Sequence, residues 1–514
     1  MGRINTNVQS LIAQRVLSQN NQSLSSALER LSTGLKITRG KDDPAGLIAS
    51  ENLRADQKAL NQAISNADRT DQVANIAEGG LQEVSSLLTE LQGLITASAS
   101  KAGLSLEEKQ ANQLQIDSIL QTIDRVSSAT NFQGIKLLNG NFDFKVSGVA
   151  TGVTDYRVNA AKFSGASLGV DVQVTTSAQQ AGLFLSAGGA SLDLSTGSSL
   201  VIEISGSKGS RELSFASGTT IAKIAEVINT FTDVTGVTAT TSGTGIKVAS
   251  SDFGSAEFVN VKVINAAGIN STTNGDAATP TRGVYTLAAA DFNTATTTIN
   301  STFTNATNGI NDNGQNVRAT INGIAATSNG KTARINTDFL DVEITLSTSK
   351  SQTLGNVGAG ASPAFTITGG GADFQLAGKV DIAGKVSLGI QDVAARKLGN
   401  SSLGYLNSLA SGKANNVVDG TNLVTSQKIV AESIKQVSGL RGRLGAFQKN
   451  TVGATIRSLG VQVENTAAAQ SVIRDADFAT ETAALTRSQI LVSASTNILS
   501  LANSQPQSVL QLLG

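Results

Sequence analysis

Apolar residues recur at helical spacing up to about Phe142 and again after Gly389, and at every second position in much of the stretch between. Ile4, Val8 and Leu11, then Leu17, Leu24, Leu28, Leu31 and Leu35, form a stripe with steps near three and four, the spacing of a coiled-coil seam. An amphipathic helix packed on its own domain fits the same stripe. The polar positions favour assembly, because Asn5, Asn7, Gln9, Gln14, Gln19, Asn20, Asn21 and Gln22 supply amides where a solvated face would carry charge. Gly34 and Gly40 interrupt the helix, and Asp43 as cap with Pro44 at the first position restarts it. Leu53, Leu60, Ile64 and Ala67 mark the new helix, and Leu81, Val84, Leu88, Leu91 and Ile95 continue it past Gly79 and Gly80, predicting one long helix with a weak point. After Ala102-Gly103 a third helix follows from Leu114, Ile116, Ile119, Leu120, Ile123 and Val126.

From about Phe142 the period changes to alternation. Leu200-Ile202-Ile204, Val259-Val261-Val263 and Leu340-Val342-Ile344-Leu346 predict half-buried strands. One helix interrupts them, where Ile221, Ile224, Ala225 and Ile228 follow the cap signal Ser217-Gly218-Thr219-Thr220. Residues 265–335 are rich in Asn, Thr, Ala and Gly, which predicts a weakly cored β-structure, with VRATING and TLSTSK supplying strand residues. After Gly389 and a connecting stretch, 398–420, the helical period returns in Val430, Ile434, Val437, Leu440, Leu444, Phe447, Ile456, Leu459 and Val463. A last helix carries heptad-spaced Leu485, Val492 and Leu499 with Leu491 and Ile498 beside them; it is expected to end at Pro506, before the apolar tail Val509, Leu510, Leu512 and Leu513. Such a tail is a liability in a monomer and makes sense when buried in an assembly.

Composition narrows the chemistry. Lys+Arg and Asp+Glu are 39 each, so no charge bias favours nucleic acid or an anionic membrane as partner. The chain has no His and no Cys, which removes Ser-His-Asp and Cys-His triads, zinc sites of the usual ligands, haem and iron–sulfur ligation and disulfides. No cofactor or metal is expected. No run approaches the roughly 18 apolar residues of a membrane span, and the first residues lack the apolar core and cleavage site of a secretory signal. Gly369-Gly370-Gly371 lacks the Lys-Ser/Thr ending of a phosphate loop and reads as a flexible turn. Asn311-Asp312-Asn313-Gly314 starts like a calcium loop, but Asn322 stands at its twelfth position, so it too reads as a turn. The sequons at Asn270, Asn300 and Asn305 are expected from composition alone.

Three stretches carry a family resemblance: ERLSTGLKITRGKDDPAGLIASENLRAD (29–56), IDRVSSATNFQGIKLLNG (123–140) and IRDADFATETAALTRSQILVSASTNILSLANSQPQSVLQLLG (473–514). They resemble bacterial flagellin, in the right order and at the right ends. The unit at 214–263 is similar to the insertion motif of flagellins and some hook-associated proteins. The resemblance implies a multidomain fold of paired α-helical coiled-coil arms around a mainly β (α+β) insertion. Residues 1–42 with 475–514 would form an inner tube, 43–150 with 398–474 an outer tube, and 151–397, containing the motif at 200–264, a solvent-facing variable region.

The implied function is a structural subunit of the extracellular flagellar filament for swimming, exported unfolded by the flagellar type III system, and not an enzyme. Its partners would be further copies of itself, hook-associated junction and cap proteins, an export chaperone and the export apparatus. The expected assembly residues are Ile4, Val8, Leu11, Leu24, Leu28, Leu31, Leu35, Leu485, Leu491, Val492, Ile498, Leu499, Val509, Leu510 and Leu513. Members recognised by Toll-like receptor 5 carry Arg in a QRVREL-like run; here Leu88 and Leu94 match, but Glu90 replaces the Arg, and Gln115 stands at a usually acidic position. Weak or absent recognition is expected. The rivals are a hook–filament junction protein, a zinc protease carried in the insertion, which the absence of His removes, and a soluble adhesin.

Overall fold

The computed structural model describes residues 6–100, 103–194, 198–269, 282–287, 300–360, 362–419 and 422–511, with 506–511 by backbone alone. Ile4 and Leu513, the side chains of Val509 and Leu510, and the sequon at Asn270 lie outside the described residues. The helices are α1 (Val8–Thr33), α2 (Pro44–Ser98), α3 (Leu106–Ala129), α4 (Ile221–Thr230), α5 (Thr232–Thr235), α6 (Thr348–Gln352), α7 (Leu423–Ala446), α8 (Gly453–Arg474) and α9 (Phe478–Gln511). The chain divides into two compact units: Met1–Ala74, Phe374–Val386 and Leu444–Gly514 make one, Asn75–Asp373 and Ser387–Arg443 the other.

In the first unit the local signals at helix ends act as their chemistry requires. Asn7 caps α1, its side-chain oxygen accepting from Ser10 N–H at 3.1 Å. Gly34 ends the helix with φ +72°, the left-handed conformation that glycine adopts without strain. Asp43 accepts from Gly46 N–H at 2.9 Å and Pro44 opens α2, as the sequence predicts. Between α7 and α8 lies a π-helical segment, Phe447–Val452. Its origin is a phase shift in the apolar stripe: Leu444, Phe447, Val452 and Leu459 are buried, and the step from 447 to 452 is one residue longer than an α-helical stripe allows. A wider turn absorbs that residue without breaking the helix.

Pro506 does not end α9, which continues to Gln511. A proline deletes one backbone bond, to the carbonyl four residues earlier, and here that carbonyl has another donor.

In the second unit Ala77, Leu81, Val84, Leu88, Leu91 and Ile95 of α2 are buried, together with Ile116, Ile119, Leu120 and Ile123 of α3 and Ile429, Val430, Val437 and Leu440 of α7. Glu78 and Arg441 tie α2 to α7 at 2.8 Å. Leu114, expected in the α3 stripe, is exposed, and its neighbour Gln113 turns inward. The buried amide donates to Leu409 O at 2.9 Å and accepts from Val417 N–H at 2.9 Å, so the 398–420 stretch replaces a leucine contact with hydrogen bonds. The helical period ends at Ala129, earlier than the expected Phe142. A short hairpin follows, Asn131–Phe132 with Ile135–Lys136, turned through Gln133 (φ 50°) and Gly134 (φ 85°).

The described residues of the β-region of this unit form two apolar cores, one nested inside the other in sequence. The outer core draws Val153, Val170, Val174, Ile321, Val342, Ile344 and Phe365 from strands on both sides of residues 181–310. The inner core packs α4, through Ile221, Ile224, Ala225 and Ile228, against the sheet Ile310–Asn313, Phe258–Asn265, Ser199–Gly206, Gly209–Ala216 and the sheet containing Gly182–Ser186. All three expected strand runs are found, with their alternate residues inward.

Four expectations for the β-region are corrected. Within 265–335 the described part is well cored, since Ile269, Val284, Phe303, Val317, Ala319 and Ile335 are buried in one core or the other. The end of TLSTSK is helix α6, capped by Ser347. Asn311-Asp312-Asn313 is part of a strand, and Asp312 accepts from Gly182 N–H at 2.7 Å. Gly369-Gly370-Gly371 is no flexible turn: Gly369 and Gly370 end the strand Phe365–Gly370, and a Cβ at Gly371 would meet the Phe144 ring at 2.5 Å, so Gly371 lets backbone pack directly on that ring.

As expected, α2 runs as one long helix through Gly79-Gly80. The two glycines differ physically. A Cβ at Gly79 meets nothing within 4 Å, whereas one at Gly80 would lie 2.7 Å from both Leu138 and Thr130 side-chain atoms. Gly79→Ala is therefore expected to stabilise the unit by up to about 1 kcal/mol, and Gly80→Ala to destabilise it by about 1–2 kcal/mol through overpacking. Thermal unfolding of the two variants side by side checks this; equal shifts would contradict the close approach.

Candidate functional site

The first unit holds an antiparallel hairpin made from the two ends of the chain. Along α1 Ser10, Ala13, Leu17, Asn20, Leu24, Ala27 and Leu31 are buried or half-buried, with half-buried Glu29 and Arg30 flanking this stripe; along α9 the stripe is Glu481, Leu485, Ser488, Val492, Ser495, Leu499 and Ala502, flanked by half-buried Ala484. Both series step by three and four, the heptad spacing of a coiled-coil seam. From Ala13 to Leu31 and from Leu485 to Ala502 larger and smaller residues alternate, which lets the two backbones approach closely.

Polar pins set the register along the whole length. Asn7 Nδ2 donates to Ala502 O at 2.8 Å, and Ser10 Oγ to Asn503 Oδ1 at 2.7 Å. Asn20 Nδ2 donates to Ser495 Oγ at 2.7 Å. Arg30 pairs with Glu481 at 3.3 Å, and the glutamate is nearly buried. At the base Leu35 and Asp475 form an antiparallel bridge, with Lys36 N–H on Arg474 O at 2.7 Å and Ala476 N–H on Gly34 O at 2.9 Å. Each polar seam residue weakens the apolar contact and in exchange penalises every other register, since a slipped helix would bury amides without partners. Asp477 begins α9 by accepting from the Thr480 and Ala479 N–H groups, bonds that hold its carboxyl below the usual range.

The seam accounts for half of the hairpin. Val8, Leu11, Ile12 and Val16 of α1 and Ile490, Leu491, Ile498 and Leu501 of α9 are exposed, Leu11 by 58%, Ile498 by 59% and Leu501 by 63%. Of the expected assembly residues, Leu24, Leu31, Leu485, Val492 and Leu499 meet in the seam and Leu35 sits at the bridge, while Val8, Leu11, Leu28, Leu491 and Ile498 face outward. Sequence reasoning missed Ser10, Ala13, Asn20, Ala27, Ser488, Ser495 and Ala502, because a search for large apolar residues passes over small ones. Their signal is the seven-residue repeat Glu481, Ser488, Ser495, Ala502, interleaved with Leu485, Val492, Leu499.

In the second unit Leu88 is fully buried in the helical core, Leu94 is half-buried, and Glu90 and Gln115 are exposed. The same unit has a polar cavity of about 240 Å³ lined by Asp143, Asp155, Tyr156, Arg157, Lys397 and Tyr405 among others. Burial lifts the Asp143 carboxyl to about 6; Asp392 adds to the rise, and the Phe144 N–H, Lys397 and Arg443 oppose it. Burial also raises Asp155 against the pull of Arg157. Raised carboxyls mark acid–base sites and structural ion-pair networks alike. Here Arg157 contacts Asp155 at 3.7 Å and Glu432 at 3.1 Å, and Arg396 holds Asp392 at 2.6 Å, which is the pattern of a network. Among the described residues no group of three or more His, Cys, Asp or Glu is placed to hold a metal, and no helix is long and apolar enough to cross a membrane.

The Asp143 shift has a definite sign. Its folded pKa lies above the ordinary 3.8, so its stabilising contribution is complete below pH 3.8 and is lost as pH rises through about 6. Asp143→Asn should stabilise the fold at pH 7 by up to about 3 kcal/mol and flatten the stability profile between these values. Denaturant unfolding from pH 4 to 8 reads both, and parallel curves for the two proteins would refute the assignment.

Residues 4–143 match the bacterial flagellin N-terminal helical region, 427–513 the bacterial flagellin C-terminal helical region, and 199–252 the flagellin hook IN motif. A flagellin of Salmonella typhimurium is 32% identical over 523 residues, covering 99% of both chains. A flagellin of Salmonella rubislaw is 30% identical and flagellin A of Helicobacter pylori 28%, each again over 99% of both chains. With both helical ends matched and similarity running the length of the chain, this protein belongs to the flagellin family, the structural subunits of the flagellar filament.

Proposed function

We propose that the chain polymerises with further copies of itself into the filament that drives swimming, after export in an unfolded state by the flagellar type III system. The observation that carries this reading is the outward apolar face of the hairpin, Val8, Leu11, Ile12 and Val16 with Ile490, Leu491, Ile498 and Leu501. Two helices side by side cover one face each; large apolar side chains left in water on the other faces of both helices offer surface for association. Subunits related by a helical operation that does not close give heterologous contacts and an open fibre.

In this reading residues 1–42 with 475–514 line the inner tube, 43–150 with 398–474 the outer tube, and 151–397 face solvent. The outward residues Val8, Leu11, Leu28, Leu491 and Ile498, with Ile4, Val509, Leu510 and Leu513, bury themselves against neighbouring copies. Junction and cap proteins bound the polymer, and an export chaperone holds the chain before secretion. Seeded growth separates a filament subunit from a junction protein. The full chain should elongate seeds into long sedimentable filaments, and a chain ending at Arg474, lacking α9, should not; failure of the full chain to elongate would favour the junction reading.

Recognition by Toll-like receptor 5 is expected to be weak or absent, because Glu90 places a negative charge where recognised members carry Arg. Leu88, being buried, offers a receptor nothing in the folded chain. A reporter-cell response as strong as that to an enteric flagellin would refute this.

A further inference from the structure

Pro506 stands inside α9. It has no backbone N–H, so the carbonyl of Ala502, four residues earlier, loses the donor that an α-helix supplies. Ala502 is buried in the seam, where a carbonyl without a donor is costly. The donor comes from the opposite end of the chain, as Asn7 Nδ2 lies 2.8 Å from Ala502 O. The other atom of the same amide, Oδ1, accepts from Ser10 N–H at 3.1 Å and starts α1. Turning the amide over would oppose donor to donor and acceptor to acceptor, so the two bonds fix its orientation together.

We propose that Asn7 is the positioning residue of the terminal hairpin, closing the gap that Pro506 opens in α9 and so fixing where the end of the chain pairs with its beginning. The inference rests on the reading of this hairpin as the assembly element. With an ordinary residue at 506, Ala502 O would be bonded within α9 in any register, and also when α9 is alone. The proline turns that local bond into one that exists only when α1 is docked and in step. A shift of one turn along α1 would carry Asn7 beyond reach and leave a buried carbonyl unpaired. The end of α9 is thereby made conditional on the start of the chain, which couples the ordering of the two arms.

A double-mutant cycle tests this. Asn7→Asp keeps an oxygen that caps α1 but removes the donor, and Pro506→Ala returns a backbone N–H to Ala502 O. Critical concentration is read by sedimentation of the full chain. Asn7→Asp should raise it about tenfold, the effect of leaving one buried carbonyl unsatisfied. The double variant should return to within about threefold of Pro506→Ala alone, because the sites are coupled through one acceptor. A double variant as impaired as Asn7→Asp, or an unaffected Asn7→Asp, overturns the proposal. If the unmodified chain forms no sedimentable polymer, the filament reading fails, and the pin is judged by amide exchange over residues 496–505 of the monomer. Faster exchange in Asn7→Asp that Pro506→Ala reverses supports it, and equal exchange in all four proteins overturns it.

Discussion

The pairing of α1 with α9 is the constraint on which the terminal unit depends. Neither helix has enough apolar surface to be stable alone, since isolated helices are marginal in water and draw most of their stability from packing. Brought together, they bury a seam of alternating large and small residues. The ends of a 514-residue chain thus become neighbours, and every residue between them is held in a closed excursion from that seam. The antiparallel bridge of Leu35 with Asp475 anchors the base of the hairpin, and the Asn7 and Ser10 bonds anchor its tip.

The polarity of the seam suits a polymer subunit. An all-leucine seam would bind more strongly but would slide, because apolar contact is non-directional. Asn20 on Ser495, Arg30 on Glu481 and Asn7 on Ala502 each add about 1 kcal/mol net when correctly paired and cost more than that when displaced. Register matters here because the outward face is composed of residues from both helices. Ile498 and Leu501 lie near Val8 to Val16 in sequence level along the hairpin only if α9 is in step with α1. A one-turn slip would change which outward residues of α9 lie level with those of α1.

The β-region shows a different economy. One core is inserted into the chain of another, so residues 144–178 and 317–367 must close around a module that can bury its own face through α4 and its sheets. Glycines serve contact more than flexibility in this region and in the adjoining helices: Gly80 and Gly371 are positions where a side chain would collide with Thr130, Leu138 or Phe144.

The sequence by itself determined the element types and the helix starts. Heptad and alternating periods are enforced by geometry within a few residues, and the Asp43-Pro44 and Thr220 caps act on their own local backbone. It also determined the family, through the quoted terminal stretches. Only the tertiary structure decided the rest, because the deciding partners are hundreds of residues away. Pro506 reads as a helix end until Asn7 is found on Ala502 O; Leu114 reads as core until Gln113 is found bonded to Leu409 and Val417. Leu28 reads as seam until Ala27 is found beside α9, and Gly80 reads as a weak point until Leu138 is found against it. Periodicity reports that a face is buried, whereas which of two adjacent faces is buried, and what fills a missing bond, depends on the shape of the neighbour.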